Sequence, residues 1–348
     1  MSTKLPNRYT AWLTITRGCQ LRCDWCYAKQ TKYATRMSDD VFYRSMEMLS
    51  GLNVKTVCLI GGEPTTDSRF LKIVRDLKNR GYHVSVISNG IRFADEKFLD
   101  DMLDAGIGNV IVSLKSATSG GYVHDTHKDA YAAVLKGLAN LKVRNKEVKY
   151  TLSITLCGSM AREFDSVIAT IIESGATNVS FDTERPIIVN NDVQYDGLTP
   201  QETADLLVST YPKMRLLKES GIDYYIYITH PFCLFPEWYI KALKETDRLM
   251  SGCQIFGGTG IIIDEHGRIL PCNHFCSSGL GSIDNCKKGV DYISWRKQEP
   301  IARFYEQMSS YPTKQCETCP QWQICGAGCR INWFKFGEIE LTKRSDNI

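Results

Sequence analysis

The chain has 348 residues, 43% hydrophobic and 23% charged, the balance of a folded globular protein of about two domains. Forty-two Lys and Arg against 39 Asp and Glu leave a formal net charge of +3, which gives no basis for a nucleic-acid or membrane-surface partner. No uninterrupted apolar run approaches the ~20 residues of a membrane span, and the first ten residues lack the apolar core of a secretory signal, so a cytoplasmic location is expected.

From Trp12 to about Tyr227 one pattern recurs: a short β-rich run, a turn, then a stretch of helical period. Strands are predicted at Trp12–Thr16, Thr56–Ile60, His83–Ser88, Asn109–Leu114, Lys149–Ile154 and Asn178–Asp182. Between them apolar residues fall at helical spacing, as at Phe70, Ile73, Val74 and Leu77, and Ser38-Asp39-Asp40 and Thr199-Pro200 read as helix starts. Alternating βα units imply parallel strands with right-handed crossovers. Six units fall short of a closed eight-fold barrel, so the expected fold class is α/β, an open partial (β/α)6 barrel over residues 1–220. Chemistry in such folds gathers at the C-terminal ends of the strands, where Cys19, Gly61-Gly62-Glu63-Pro64 and Asn89-Gly90 fall.

Beyond Gly221 the pattern changes. Residues 221–250 are expected to bridge two units, with a helix from Glu237 to Met250 and an aromatic group (Tyr224, Tyr225, Tyr227, Phe232, Phe235) that suits inter-domain packing or a channel. Residues 251–340 are expected to form a small cysteine-rich domain. A hairpin is predicted where Gly260–Ile263 and Arg268–Leu270 flank Asp264-Glu265-His266-Gly267. His124-Asp125-Thr126-His127 reads as a solvated loop before a helix.

Fourteen cysteines need an explanation. A chain of this size does not need disulfides to fold, and their spacings are those of metal ligands. Cys19, Cys23 and Cys26 follow the first strand as C-x3-C-x2-C, so one loop can wrap a compact multi-iron cluster. Three thiolates leave one corner of a cubane without a protein ligand, the mark of a reactive rather than a structural metal; a zinc loop borrowing a fourth ligand is the alternative. Further on, Cys316-x2-Cys319-x5-Cys325-x3-Cys329 follows Cys253 and Cys272, and zinc is again the rival.

C-x3-C-x-aromatic-C after the first strand of a βα barrel, followed by Gly61-Gly62-Glu63-Pro64 after the second, resembles the radical S-adenosylmethionine (SAM) enzymes. The resemblance implies a 4Fe–4S cluster on Cys19, Cys23 and Cys26 whose open iron is chelated by SAM. It implies that Gly61, Gly62, Glu63 and Pro64 receive the SAM amino group, that Trp25 lies beside the adenine, and that Ser88, Asn89, Ser113, Ser153 and Thr155 line the ribose and carboxylate. It further implies reductive cleavage of SAM to a 5′-deoxyadenosyl radical that abstracts hydrogen from substrate. Lys115 departs from the family, in which many peptide-modifying members carry an acid at that position.

The C-terminal cysteines resemble the SPASM extension of such enzymes, which holds two auxiliary 4Fe–4S clusters. By that resemblance Cys253, Cys272 and Cys329 belong to one cluster and Cys316, Cys319 and Cys325 to the other. The family's seventh cysteine, downstream of Cys329, has no counterpart here. Cys276 and Cys286 are expected to supply the missing ligands, since two fully ligated cubanes need eight thiolates. Of the rest, Cys58 lies within a strand and reads as inert. Cys157 and Cys233 are candidates for a catalytic thiol that returns hydrogen to a substrate radical, as in some radical SAM epimerases, with simple packing as the alternative.

The function expected is maturation of a ribosomally made peptide by crosslinking, epimerisation or oxidation. The partners are then a small precursor peptide and an external electron donor such as flavodoxin or ferredoxin. Only about ten residues precede the first strand, so a separate peptide-recognition protein or another surface would read a leader peptide. Sulfatase-maturase-like oxidation of a Cys or Ser side chain, or dehydrogenation of a small molecule, is the alternative enzyme reading. A non-catalytic iron–sulfur electron carrier is the alternative of another class, and the open three-cysteine site weighs against it.

Overall fold

A period-two alternation of buried and half-buried residues shapes the sheet. In the computed structural model, which describes residues 9–28, 34–253, 258–276 and 278–342, six parallel strands run in sequence. They are β1 (Tyr9–Thr16), β2 (Val54–Gly61), β3 (His83–Ser88), β4 (Asn109–Leu114), β5 (Lys149–Leu156) and β6 (Asn178–Thr183). In β4 to β6 every second residue is buried: Val110 and Val112, then Leu152 and Ile154, then Val179 and Phe181. The intervening positions are half-buried and mostly polar, and the register lines them up as Ser113, Ser153 and Ser180 in one row and Thr155 with Asp182 in the next. Side chains alternate across a strand, so one face packs apolar and the other presents hydroxyls and a carboxylate.

The crossovers are helical: α1 (Asp39–Ser50), α2 (Phe70–Asn79), α3 (Glu96–Asp104), α4 (Ser119–Thr126), α5 (Tyr131–Val143), α6 (Gly158–Arg162) and α7 (Phe164–Ser174). Ser38 caps α1 by accepting from the Val41 N–H at 3.1 Å. α8 (Pro200–Glu219) opens with a capping box in which Thr199 and Glu202 satisfy each other's backbone N–H groups. A small hairpin, β7 (Ile187–Val189) and β8 (Asp192–Gln194), stands apart from the main sheet.

The sheet does not stop at six strands. β9 (Asp223–Tyr227) pairs parallel with β6, α9 spans Glu237–Glu245, and β10 (Leu249–Met250) pairs parallel with β9. Residues 221–250, expected as a bridge, therefore carry two further strands of the same sheet, and the helix predicted to reach Met250 ends at Glu245. Packing explains the ending: Tyr239 and Phe235 stack at 5.6 Å in the core, and beyond Glu245 the chain turns through Asp247, at φ 55°, into β10. The predicted hairpin forms as β11 (Gly260–Ile263) and β12 (Arg268–Leu270), followed by β13 (Gly281–Ser282), and β11 joins β1 in parallel. Among the described residues the strand order is β10-β9-β6-β5-β4-β3-β2-β1-β11-β12-β13, with no pairing that closes the ends into a barrel. None of the described helices is long and apolar enough to cross a membrane.

The hairpin reaches back to the first strand. Glu265, in the β11–β12 turn, accepts from the Arg17 Nε at 2.8 Å, with the two side chains 4% and 1% exposed. Thr35 adds a hydroxyl donor to the same carboxylate at 3.2 Å. Arg17 sits two residues before Cys19, so the C-terminal part of the chain fixes the start of the cysteine loop.

Candidate functional site

The loop after β1 is held from two sides by backbone hydrogen bonds. Gly62 N–H donates to Thr16 O at 2.8 Å and Glu63 N–H to Gly18 O at 2.7 Å, which joins the β2 turn to the cysteine loop. Arg22 and Asp24 N–H groups donate to the carbonyls of Thr126 and Asp125, at 3.0 and 3.1 Å. These carbonyls lie at the C-terminal end of α4, where helices leave acceptors unsatisfied. The segment from His124 to Thr126, predicted as a loop, is thus the last turn of a helix that braces the cysteine loop.

The two glycines of the β2 turn are required by that close approach. A Cβ on Gly62 would lie 2.4 Å from Arg17 O and 2.5 Å from Gly18 O, and one on Gly61 would lie 2.1 Å from Thr16 O. These contacts are with backbone, which cannot swing aside. Gly62→Ala is expected to cost upwards of about 1–3 kcal/mol and to lower both the thermal midpoint and the iron retained. Gly81→Ala, where a Cβ would meet nothing within 4 Å but the left-handed φ of +83° carries its own strain, is expected to leave iron content unchanged.

Glu63 is the hub of the site. It is 1% exposed. Its carboxylate accepts from Thr65 N–H (3.1 Å), Thr65 Oγ1 (2.7 Å), Ser88 Oγ (2.9 Å) and Asn89 N–H (2.6 Å). Burial raises its pKa above the ordinary carboxylate range, and these four donors pull it back. With both oxygens engaged, this side chain clamps the ends of β2 and β3 together. Tyr27 adds a further tie by donating to Gly61 O at 3.0 Å.

One cavity lies over these strand ends. It gathers Cys19, Cys23, Cys26, Trp25, Gly61, Gly62, Glu63, Ser88, Asn89, Ser113 and Thr155 from the sequence-based expectation. Pro64 and Ser153 do not line it: Pro64 is buried at the head of a 3-10 turn, and Ser153 lies two residues back along β5 from Thr155. Asn89 bridges by its side-chain amide towards the Gln20 carbonyl at 3.1 Å and the Cys19 sulfur at 3.9 Å.

The opposite wall was not legible from motifs. It consists of Asp182, Thr183, Glu184, Arg185, Asn273 and His274. Arg185 pairs with Asp182. Burial works to lower the Arg185 pKa, but Asp182 and the thiols of Cys329 and Cys272 together raise it. Lys115 also faces the cavity, with Nζ donating to Ser113 Oγ at 2.6 Å. Burial raises the thiol pKa of Cys19 and pushes that of Cys23 up to about 12, and the Lys115 ammonium opposes both shifts. The only sequence signal for this wall was its position at strand ends.

Residues 13–171 match the Radical SAM superfamily. That stretch is a radical SAM domain. Along its length the chain is 24% identical over 338 residues to a PqqA peptide cyclase of Rhodopseudomonas palustris, covering 92% of this chain and 82% of that protein. It is 23% identical over 288 residues to an Fe-coproporphyrin III synthase of Methanosarcina barkeri, covering 81% and 65%. In fold it is similar to Streptococcus suis SuiB bound to its precursor peptide SuiA (TM-score 0.71, 16% identity, 97% of this chain and 75% of that one). It is also similar to anSMEcpe with bound AdoMet (TM-score 0.70, 15% identity, 97% and 91%).

A radical SAM domain implies a 4Fe–4S cluster and SAM, and the residues present fit both. Among the described residues no three His, Cys, Asp or Glu side chains are gathered tightly enough to hold a single metal ion. A cubane draws its thiolates onto different irons, and Cys19, Cys23 and Cys26 line the cavity here. Cys19, Cys23 and Cys26 act on one another's ionisation, so the three sulfurs face a common space. Burial favours the protonated forms of Cys19 and Cys23, so loading iron releases protons. The cavity beside them is wide, and it is lined by an aromatic ring, hydroxyls, an amide and an ammonium, as SAM requires.

The remaining cysteines include two groups, each built on one of the trios named from the sequence. Cys253, Cys272 and Cys329 come together beside Phe275 and Met308. Cys316, Cys319 and Cys325 share a second cavity, and the fourth cysteine on its wall is Cys233. Cys233, a candidate hydrogen-returning thiol by sequence, lines this second cavity and not the first. Cys157 is 3% exposed, meets the Ser159 hydroxyl at 3.0 Å and does not line the first cavity. Cys276 and Cys286, expected as cluster ligands, join neither group. The Cys276 thiol donates to the Tyr27 carbonyl. Cys286 is fully buried, and the one charged side chain acting on it is Asp291. Cys58 is buried within β2, as expected.

Proposed function

We propose that the chain is a radical SAM enzyme that oxidatively modifies a peptide, by a crosslink or a side-chain oxidation. The observation that carries this reading is the cavity at the strand ends, which gathers three thiols and a polar wall around one space. A 4Fe–4S cluster on Cys19, Cys23 and Cys26 supplies, when bound, the electron that splits SAM into methionine and a 5′-deoxyadenosyl radical. In this reading Trp25 flanks the adenine, and Ser88, Asn89, Ser113 and Thr155 hydrogen-bond the ribose and methionine moieties. The Lys115 ammonium meets the SAM carboxylate. Glu63 acts by holding the β2 and β3 ends in place and by leaving the Gly61–Gly62 backbone free to face the ligand. Asp182, Glu184 and Arg185 present charge to the substrate side.

The peptide class is supported by the cyclase relative and by the peptide-bound SuiB and anSMEcpe structures, whose folds this chain shares. Among the described residues the three presumed cluster thiols are the only cysteines lining the cavity. Epimerisation, which needs a separate hydrogen donor, is therefore less favoured than a crosslink or an oxidation. In this scheme an external donor such as flavodoxin or ferredoxin supplies the electron that cleaves SAM, the deoxyadenosyl radical takes one hydrogen atom, and the second electron and proton pass to an auxiliary iron–sulfur cluster and to solvent. The test is anaerobic incubation of the reconstituted protein with SAM, dithionite and the peptide encoded by a neighbouring short reading frame. The expected result is 5′-deoxyadenosine together with a peptide lighter by a pair of hydrogens. Deoxyadenosine with an unchanged peptide would overturn the peptide assignment alone.

A further inference from the structure

A second cavity, of about 560 Å³, opens near the surface between the loop after β9 and the C-terminal cysteine-rich segment. Cys233 enters it from the 3-10 turn Phe232–Leu234, Cys316 from the short helix Lys314–Glu317, and Cys325 from the turn Trp322–Cys325, with Cys319 between the last two. The backbone is arranged around the sulfurs. Phe232 N–H donates to the Cys325 sulfur at 3.3 Å, and the Thr313 hydroxyl to the Cys316 sulfur at 3.7 Å. Hydrogen bonds to thiolates of this kind tune and orient metal ligands. Cys233, Cys316, Cys319 and Cys325 all line this one cavity, and the Cys233 thiol also donates to the Leu341 carbonyl at 3.8 Å.

We propose that Cys233, contributed by the barrel, is the fourth thiolate of an auxiliary 4Fe–4S site completed by Cys316, Cys319 and Cys325. The cavity is far wider than one ion needs, and four cysteines line it. Four thiolates on four irons fill a cubane completely, so this site has no open iron. A cysteine more than 80 positions upstream thereby joins three from the C-terminal segment. Cys253, Cys272 and Cys329 are left as a three-thiolate group. The inference rests on the reading that the C-terminal cysteines bind iron, which the first measurement tests by itself.

Iron and sulfide are measured in reconstituted protein whose first-cluster cysteines are replaced (Cys19→Ala, Cys23→Ala, Cys26→Ala), so that only auxiliary iron remains. If this parent binds no iron, the reading of the C-terminal cysteines fails, and the inference with it. If it binds iron, adding Cys233→Ser is expected to remove about four irons per chain or to leave a three-iron EPR signal, while adding Cys276→Ser or Cys286→Ser changes neither. Iron content and spectrum unchanged by Cys233→Ser would overturn the assignment. A measurement on the unmodified holoprotein guards against misfolding of the variant. Cys233 is an exposed residue, so an alkylating reagent is expected to spare its thiol while iron is bound and to label it after oxidative removal of iron. Labelling of Cys233 in the iron-loaded protein would equally overturn the proposal.

Discussion

Replacing Cys19, Cys23 and Cys26 together with alanine is expected to reduce 5′-deoxyadenosine formation to the level of an enzyme-free control, with loss of about four irons per chain. The effect is large because, among the described residues, these are the only cysteines lining the cavity proposed to take SAM. The fold is expected to persist. The loop is held by backbone bonds from Gly62, Glu63, Arg22 and Asp24 and by the Arg17–Glu265 pair, none of which uses a sulfur. A circular dichroism spectrum and a thermal melt close to those of the iron-free parent would separate loss of chemistry from loss of structure. Deoxyadenosine production that survives the triple replacement would remove the catalytic reading.

The second large effect concerns stability. Glu265→Ala leaves the Arg17 guanidinium, 1% exposed, without its carboxylate, and breaking a buried pair from one side costs about 3–5 kcal/mol. In a chain of this size that corresponds to a fall in the unfolding midpoint on the order of 5–10 °C. Glu265→Gln keeps an acceptor for Arg17 Nε and is expected to lose less. The double variant Arg17→Met/Glu265→Leu removes both charges and is expected to recover most of the loss, because apolar pairs of similar volume often replace buried ion pairs without penalty. Denaturant titration of the four proteins measures this. A single variant as stable as the parent would show that the pair does not anchor the cysteine loop.

The barrel was legible because its strands are encoded locally. β3 and β4 have the predicted boundaries, and β1, β2, β5 and β6 extend the prediction by one to three residues at an end. Alternation of apolar and polar residues and the capping signals at Ser38 and Thr199 need no knowledge of the rest of the chain. The cysteine loop and the Gly61–Glu63 turn were legible for the same reason, as compact motifs at strand ends.

What escaped depends on distant pairing. β10 is two residues long and exists because β9 offers a parallel edge. β11 reads as half of a hairpin, and nothing in its sequence announces that its other edge pairs with β1. Cys233 carries no spacing signal relative to Cys316, and only folding brings the turn after β9 against the C-terminal cysteines. Cys276 and Cys286 lie apart from both C-terminal cysteine groups for the converse reason: counting thiolates ignores where the chain takes them. Glu63 was read as a partner for a ligand ammonium, but the sequence gives no hint that Thr65, Ser88 and Asn89 converge on its carboxylate.

The central claim is that the cluster on Cys19, Cys23 and Cys26 keeps one iron open for SAM. EPR of the reduced, anaerobically purified protein, recorded without SAM and with SAM carrying ¹⁷O in its carboxylate, tests it most directly. A SAM-dependent change in the cluster signal, broadened by the isotope, is the expected result. Identical spectra in all samples, from a protein with its iron fully loaded, would contradict it.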